Sequence, residues 1–137
     1  MPRPAGGLKP TVRVVAAVIY DETRRVLVTQ RPPGKALAGQ WEFPGGKTEA
    51  GESDARALRR ELREELGVEV RVARALLEYS HEYTERHVRL SVWVVEEFTG
   101  VPAGLEGQQL QWVPPAALRA LPLLRADLPI VDWLERQ

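Results

Sequence analysis

Glu61, Glu64 and Glu65 recur at a spacing that gathers carboxylates on one side of a helix. At about 100° per residue they fall within about a third of the circumference, beside the apolar stripe of Leu58, Leu62 and Leu66. Carboxylates and core anchor therefore share one helix. Arg60 to Glu64, at i,i+4, suits a salt-bridged surface. Glu61 to Glu65 at the same spacing repels, and Glu52 from the preceding loop can add a further negative charge. Such a cluster makes best sense around a hard divalent cation bound through oxygen. Just upstream, Gly45, Gly46 and Gly51 let backbone carbonyls and amides approach a metal or phosphate closely, which a Cβ would hinder. Placed directly before an acidic helix, that glycine-rich turn becomes part of a candidate phosphate chemistry.

The elements that must hold these groups are readable from periodicity. Residues 12–20 (VRVVAAVIY) are apolar apart from Arg13 and rich in β-branched side chains, as in a largely buried strand. Residues 26–29 read as its hairpin partner across Asp21-Glu22-Thr23. Residues 32–51 are punctuated by proline and glycine around a short Trp41-Glu42-Phe43 segment, with room for few elements. From Ser53 to Leu66 the period becomes helical, with a Ser/Asp start and Gly67 as the stop. Strands are expected over residues 68–83 and 87–98, the second showing Val88, Leu90, Val92 and Val94 in alternation. A last short strand at residues 110–113, a short helix at 115–121 and a terminal helix at 129–137 complete the order. The class is α+β, with one mixed sheet and helices on its faces. Residues 1–10, with three prolines and two glycines, read as a disordered lead-in to a single domain over 11–137.

Composition narrows the function. The 137 residues carry 19 Lys+Arg against 19 Asp+Glu, and a net charge of zero argues against bulk capture of nucleic acid or an acidic membrane. The absence of cysteine excludes disulfides, thiolate zinc sites and thiol nucleophiles. No stretch resembles a signal peptide or a membrane span, so a cytoplasmic protein is expected. The two histidines show no zinc-type spacing.

The segment GKTEAGESDARALRRELREELGV, residues 46–68, matches G-x5-E-x7-R-E-U-x-E-E-x-G-U, with U aliphatic, at every defined position. By chance this would occur with a probability on the order of 10⁻⁸ per starting point. The chain thereby resembles the Nudix hydrolases, and within them the MutT type, which cleaves nucleoside triphosphates to monophosphate and pyrophosphate. Gln30-Arg31, then residues 41–47 (WEFPGGK), then Arg86-His87, then Glu106-Gly107-Gln108 recur in the same order in that group. The resemblance implies an α/β/α sandwich with a mixed sheet. It implies Mg²⁺, with Mn²⁺ as a substitute, held by the Gly45 carbonyl and by Glu61, Glu64, Glu65 and Glu106. Arg60 would orient the glutamates and Glu52 would brace loop and helix. Glu61 and Glu106 are both left as general-base candidates. Attack at the β-phosphorus is expected on the same ground.

For the nucleotide, the resemblance places Arg31, Phe43, Gly46, Lys47, Arg86 and Asp127 at the substrate. Asp127 stands where an asparagine reads 8-oxoguanine. An amide donates to O6 and accepts from the N7 proton, whereas an ionised Asp only accepts and better suits the N4 amino group of cytosine. Asp127 is also placed to be a helix N-cap. The expected substrate is 8-oxo-dGTP, with CTP or a modified cytidine triphosphate as the alternative. ADP-ribose is less favoured, because relatives acting on it commonly carry a proline downstream of the box and residues 68–100 have none. A non-catalytic nucleotide-sensing module would show degenerate glutamates, and here the set is complete. A monomer or a homodimer is expected, acting on a free nucleotide without nucleic-acid or membrane partners.

Overall fold

A computed structural model describes residues 9–137. Most of the expected lead-in, residues 1–8, lies outside the described residues. Lys9 is tied down, its Nζ donating to Glu82 Oε1 and to the Tyr83 carbonyl, each at 2.9 Å.

The central strand is β1 (Thr11–Ile19). It runs parallel to β6 (His87–Thr99), which pairs antiparallel with β5 (Glu69–Glu82). On its other edge β1 takes β4 (Gly45–Lys47), antiparallel, giving a mixed sheet in the order β4-β1-β6-β5. β1 reads as a continuous apolar run because both of its faces are buried. Val15, Ala17 and Ile19 pack with Leu58, Leu62 and Leu66 of α1 (Asp54–Leu66), whereas Ala16 and Val18 pack with Ile130, Val131 and Leu134 of α2 (Leu128–Glu135). Each buried leucine of α1 contributes roughly 1.5–3 kcal/mol toward holding the acidic helix against the sheet. The expected α+β sandwich, a mixed sheet with helices on both faces, is what the chain forms.

One strand pairing departs from expectation. β2 (Val26–Gln30) is not the hairpin partner of β1 beyond a single bridge, Tyr20 to Val26. It enters a second antiparallel sheet, β3-β2-β7, with β3 (Trp41–Glu42) and β7 (Leu110–Val113). The split has a packing reason: Val26 and Val28 face the α2 side while Leu27 faces the α1 side, so β2 is also covered on both faces. The expected short helix at residues 115–121 is a 3-10 helix, Pro115–Ala120, and another 3-10 turn, Arg125–Asp127, leads into α2.

α1 is cut to length at both ends. The Ser53 hydroxyl accepts from the Arg56 N–H, and Gly67, in the left-handed region at φ 72°, closes the last turn by donating to Arg63 O at 3.0 Å. These caps fix which turn of the helix faces the glycine strand β4.

Candidate active site

At Gly46, β4 meets the Glu61 side chain of α1. A Cβ there would overlap the Glu61 carboxyl, so the missing side chain is what lets that carboxylate lie against the strand. At the next position back, Gly45 has φ 154°, and a Cβ would run into the Val15 carbonyl of β1. Its N–H donates to Glu65 Oε1 at 3.1 Å. The glycines of β4 are therefore the floor on which two α1 carboxylates rest.

Arg60 organises the solvent side of the helix. Its Nε and Nη2 grip Glu52 at 2.7 and 2.9 Å, its Nη1 donates to Glu61 Oε1 at 3.0 Å and Glu64 Oε1 at 3.1 Å, and Nη2 also reaches the Lys47 carbonyl at 2.9 Å. Arg60, expected to orient the glutamates, thus contacts Glu61 and Glu64, and Glu52, expected to brace loop and helix, is bound to Arg60. The guanidinium also holds the Glu52 carboxyl down to about 2.

The other carboxylates are pushed the opposite way. Burial, then the charge of Glu61, raises Glu65 to about 9, with Glu106 adding to the effect. Burial also raises Glu61, against the pull of Arg60 and with Glu64 and Glu106 pushing further. A cluster that resists its own ionisation in this way is relieved by a cation.

Glu61, Glu64, Glu65, Glu106 and Gly45 all line one cleft of about 400 Å³. As the side chains stand, among the described residues no three carboxylate or imidazole groups converge to enclose an ion. The expected ligand set is brought together in one cleft and is not closed into a cage: Glu61 and Glu64 turn to Arg60, and Glu65 turns to the Gly45 N–H. The donors still fit a hard divalent cation. They are carboxylates beside a glycine floor that a Cβ would fill, and neither cysteine nor histidine lines the cleft.

The same cleft is lined by Arg31, Phe43, Lys47, Arg86 and Asp127, so every residue expected at the substrate is on its wall, Gly46 included. Asp127 is buried, and it does not act as the N-cap expected as one of its roles. Its side chain makes no cap bond, and Oδ2 instead accepts from the Phe43 N–H at 2.9 Å. Burial raises its carboxyl to about 7, with Phe43 and Arg31 pulling down and Glu42 pushing up. Among the aromatic side chains, Trp41 and Trp93 pack into the two cores. Tyr83 lines the cleft, with the Arg86 guanidinium 4.8 Å above its ring.

Sequence reasoning missed Glu42 and Gln108. Glu42 sits 3.6 Å from Arg31 Nε, a buried atom with no hydrogen-bond partner among the described residues, and burial raises its carboxyl. Its place within the WEFPGGK stretch, between Trp41 and Phe43, was a signal that could have found it. Gln108 lines the cleft and bonds the backbone of Glu106 in its own loop and of Glu65 on α1.

An acidic helix laid on a glycine strand, beside a cleft that carries arginines and a lysine, defines a hydrolase of phosphoanhydride bonds. The chain belongs to the Nudix family: the family model described as NUDIX domain matches residues 14–133. It is 40% identical to the CTP pyrophosphohydrolase of Escherichia coli over 121 residues, 88% of this chain and 89% of that protein. It is 33% identical to the 8-oxo-dGTP diphosphatase of the same species, over 91% of this chain and 97% of that one. Among solved structures it is similar to the MutT Nudix hydrolase of Burkholderia pseudomallei, with a TM-score of 0.82 and 28% identity over 90% of this chain and 98% of the other. No helix among the described residues is long and apolar enough to cross a membrane.

Proposed function

We propose that this chain is a Mg²⁺-dependent nucleoside triphosphate pyrophosphohydrolase of the nucleotide-pool-sanitising kind, with Mn²⁺ able to replace Mg²⁺. The observation that carries the reading is one cleft lined both by Glu61, Glu64, Glu65 and Glu106 and by Arg31, Arg86, Phe43 and Asp127. Glu61, Glu64, Glu65, Glu106 and the Gly45 carbonyl would hold the cation. Bound there, it supplies charge neutralisation for the triphosphate and a more acidic water. Lys47, Arg31 and Arg86 supply fixed positive charge along the cleft, which suits a reaction dominated by positioning and electrostatics. Glu61 or Glu106 takes the proton of the water that attacks the β-phosphorus, and the bond from that phosphorus to the oxygen bridging it to the α-phosphorus breaks; nucleoside monophosphate leaves with that oxygen and the water oxygen stays on pyrophosphate. The reading goes with a cytoplasmic monomer or homodimer acting on free nucleotides.

Gly46→Ala tests the glycine floor. The added methyl displaces Glu61, and a displacement of about 1 Å costs on the order of 10²-fold in turnover. Steady-state kinetics should show the loss in kcat with nucleotide KM little moved, because Phe43 and Asp127 are untouched.

The base is read by Asp127. 8-Oxo-dGTP is the first substrate and a cytidine triphosphate the second, the latter favoured by an acceptor carboxylate in the cleft and by the likeness to a CTP pyrophosphohydrolase. With Oδ2 engaged by Phe43, the carboxyl is neutral below about 7 and offers an O–H to O6 of 8-oxoguanine; above it, the ionised group only accepts. The ratio of kcat/KM for 8-oxo-dGTP to that for CTP should therefore fall as the pH rises through about 7. Asp127→Asn should shift the ranking toward 8-oxo-dGTP and flatten that pH dependence. The experiment is a panel of oxidised and ordinary nucleoside triphosphates, with products separated by chromatography. Absence of monophosphate and pyrophosphate from every member would overturn the enzymatic reading. An unchanged ranking in Asp127→Asn would remove Asp127 from base recognition.

A further inference from the structure

The loop from Gly100 to Gln109 joins β6 to β7 and carries Glu106, yet it contains no regular element that would fix that carboxylate. It is fixed by the end of α1. The last carbonyls of a helix have no partner within it. Here Arg63 O and Leu62 O are taken by Gly67 and Val68, while Leu66 O accepts from the Ala103 N–H at 3.0 Å and Glu65 O from the Leu105 N–H at 3.1 Å. The loop is thus a second layer of cap on the acidic helix.

Gln108 completes the layer from both ends of one amide. Its Nε2 donates to Glu65 O at 2.9 Å, and its Oε1 accepts from the Glu106 N–H at 2.8 Å. One side chain thereby joins the backbone of Glu65 to the backbone of Glu106. Both bonds end on main chain, so they fix where each residue's Cα lies and leave the two carboxylates free to face the cleft. Gly104 closes the arrangement, since a Cβ there would overlap the Gln108 carbonyl. The remaining backbone bonds hold residues before and after Glu106: Gly107 N–H to Gly104 O at 3.1 Å, and Gln30 N–H to Gln109 O at 2.9 Å.

We infer that Gln108 is a positioning residue, whose amide sets Glu106 in register with the carboxylates of α1 and which acts on the reaction only through Glu106. The inference rests on the proposed role of Glu106 in hydrolysis. A group that orients a ligand or base in this way is worth about 10–100-fold.

The test is a double-mutant cycle of Gln108→Met and Glu106→Gln, with each protein checked for folding by circular dichroism. Methionine keeps the length of Gln108 and removes both hydrogen bonds. Gln108→Met alone should lower kcat about 10–100-fold with little change in nucleotide KM. In the Glu106→Gln background it should add no more than about twofold, because the interaction runs through the group already removed. Amide exchange followed by NMR on the protein without metal or nucleotide supplies the second readout: the Glu106 N–H should exchange faster in Gln108→Met while the core amides of α1 keep their rates. If both single variants are impaired and their losses multiply in the double variant, Gln108 acts independently of Glu106 and the inference is overturned while the role of Glu106 stands. Full turnover in Glu106→Gln would overturn that role and the inference with it. Unchanged exchange at Glu106 would overturn the inference alone.

Discussion

Glu61→Gln is expected to lower kcat by about 10²–10⁴-fold at saturating Mg²⁺, the range for removing a general base, and to leave folding intact. The two halves of that expectation come from one geometry. Glu61 Oε1 accepts from Arg60 Nη1, and a glutamine oxygen can take the same bond, so that bond survives. What disappears is a negative charge that stands beside Glu65 and adds to burial in raising that carboxyl. The folded protein loses a repulsion, and its melting temperature should match or exceed that of the parent. Glu65 should in turn titrate lower than in the parent, which side-chain carbon NMR can read. Activity and stability moving in opposite directions is the mark of a charge kept for function at a cost in stability. Near-normal turnover in Glu61→Gln would remove Glu61 from the chemistry and leave Glu106 as the base. A fall in melting temperature together with turnover would show a structural role instead.

The parts of this protein legible in its sequence are those with local causes. The acidic helix was readable to within a residue because its leucine stripe, its Ser53 cap and its Gly67 stop all lie within one stretch of chain. β1 was readable because burial on both faces leaves a continuous apolar run. The second sheet was not. β3 has 2 residues, too few to show any period, as are the 3 of β4 in the first sheet, and the turn after Tyr20 looks like a hairpin because it starts as one before the strands part. The same division runs through the site. Glu61, Glu64 and Glu65 follow from spacing, whereas Glu106 and Gln108 reach the helix across more than 40 positions of chain and owe their place to backbone carbonyls. Asp127 shows the limit most sharply. Its setting before Pro129 fits a cap, and only the folded chain brings the Phe43 N–H to its carboxylate.

Arg60→Lys should cost about 10–100-fold in kcat or in Mn²⁺ affinity despite keeping the charge. The reason is the number and direction of its bonds. The planar guanidinium reaches Glu52 through two nitrogens, Glu61 and Glu64 through a third, and the Lys47 carbonyl as well, so that it ties the loop before α1, the strand β4 and the helix itself together. An ammonium has three donors on a flexible stem and cannot span that fork. Loss of the fork frees Glu61 and Glu64 to take other orientations, so the nucleotide should still bind while turnover and cation affinity fall together. Stability should register the change at low pH. Glu52 is held near about 2 in the folded chain, below its ordinary value, so its contribution is present above the unfolded carboxylate range and is lost as the pH falls toward the folded value. In Arg60→Lys that carboxyl returns toward its ordinary value, and the acid-unfolding midpoint followed by circular dichroism should move to higher pH. Arg60→Ala should move it further, because Glu52 and Glu61 then face one another without any cation between them. A lysine variant with the parent's acid midpoint and turnover would mean that charge alone suffices, and that the five-bonded fork does not organise the site.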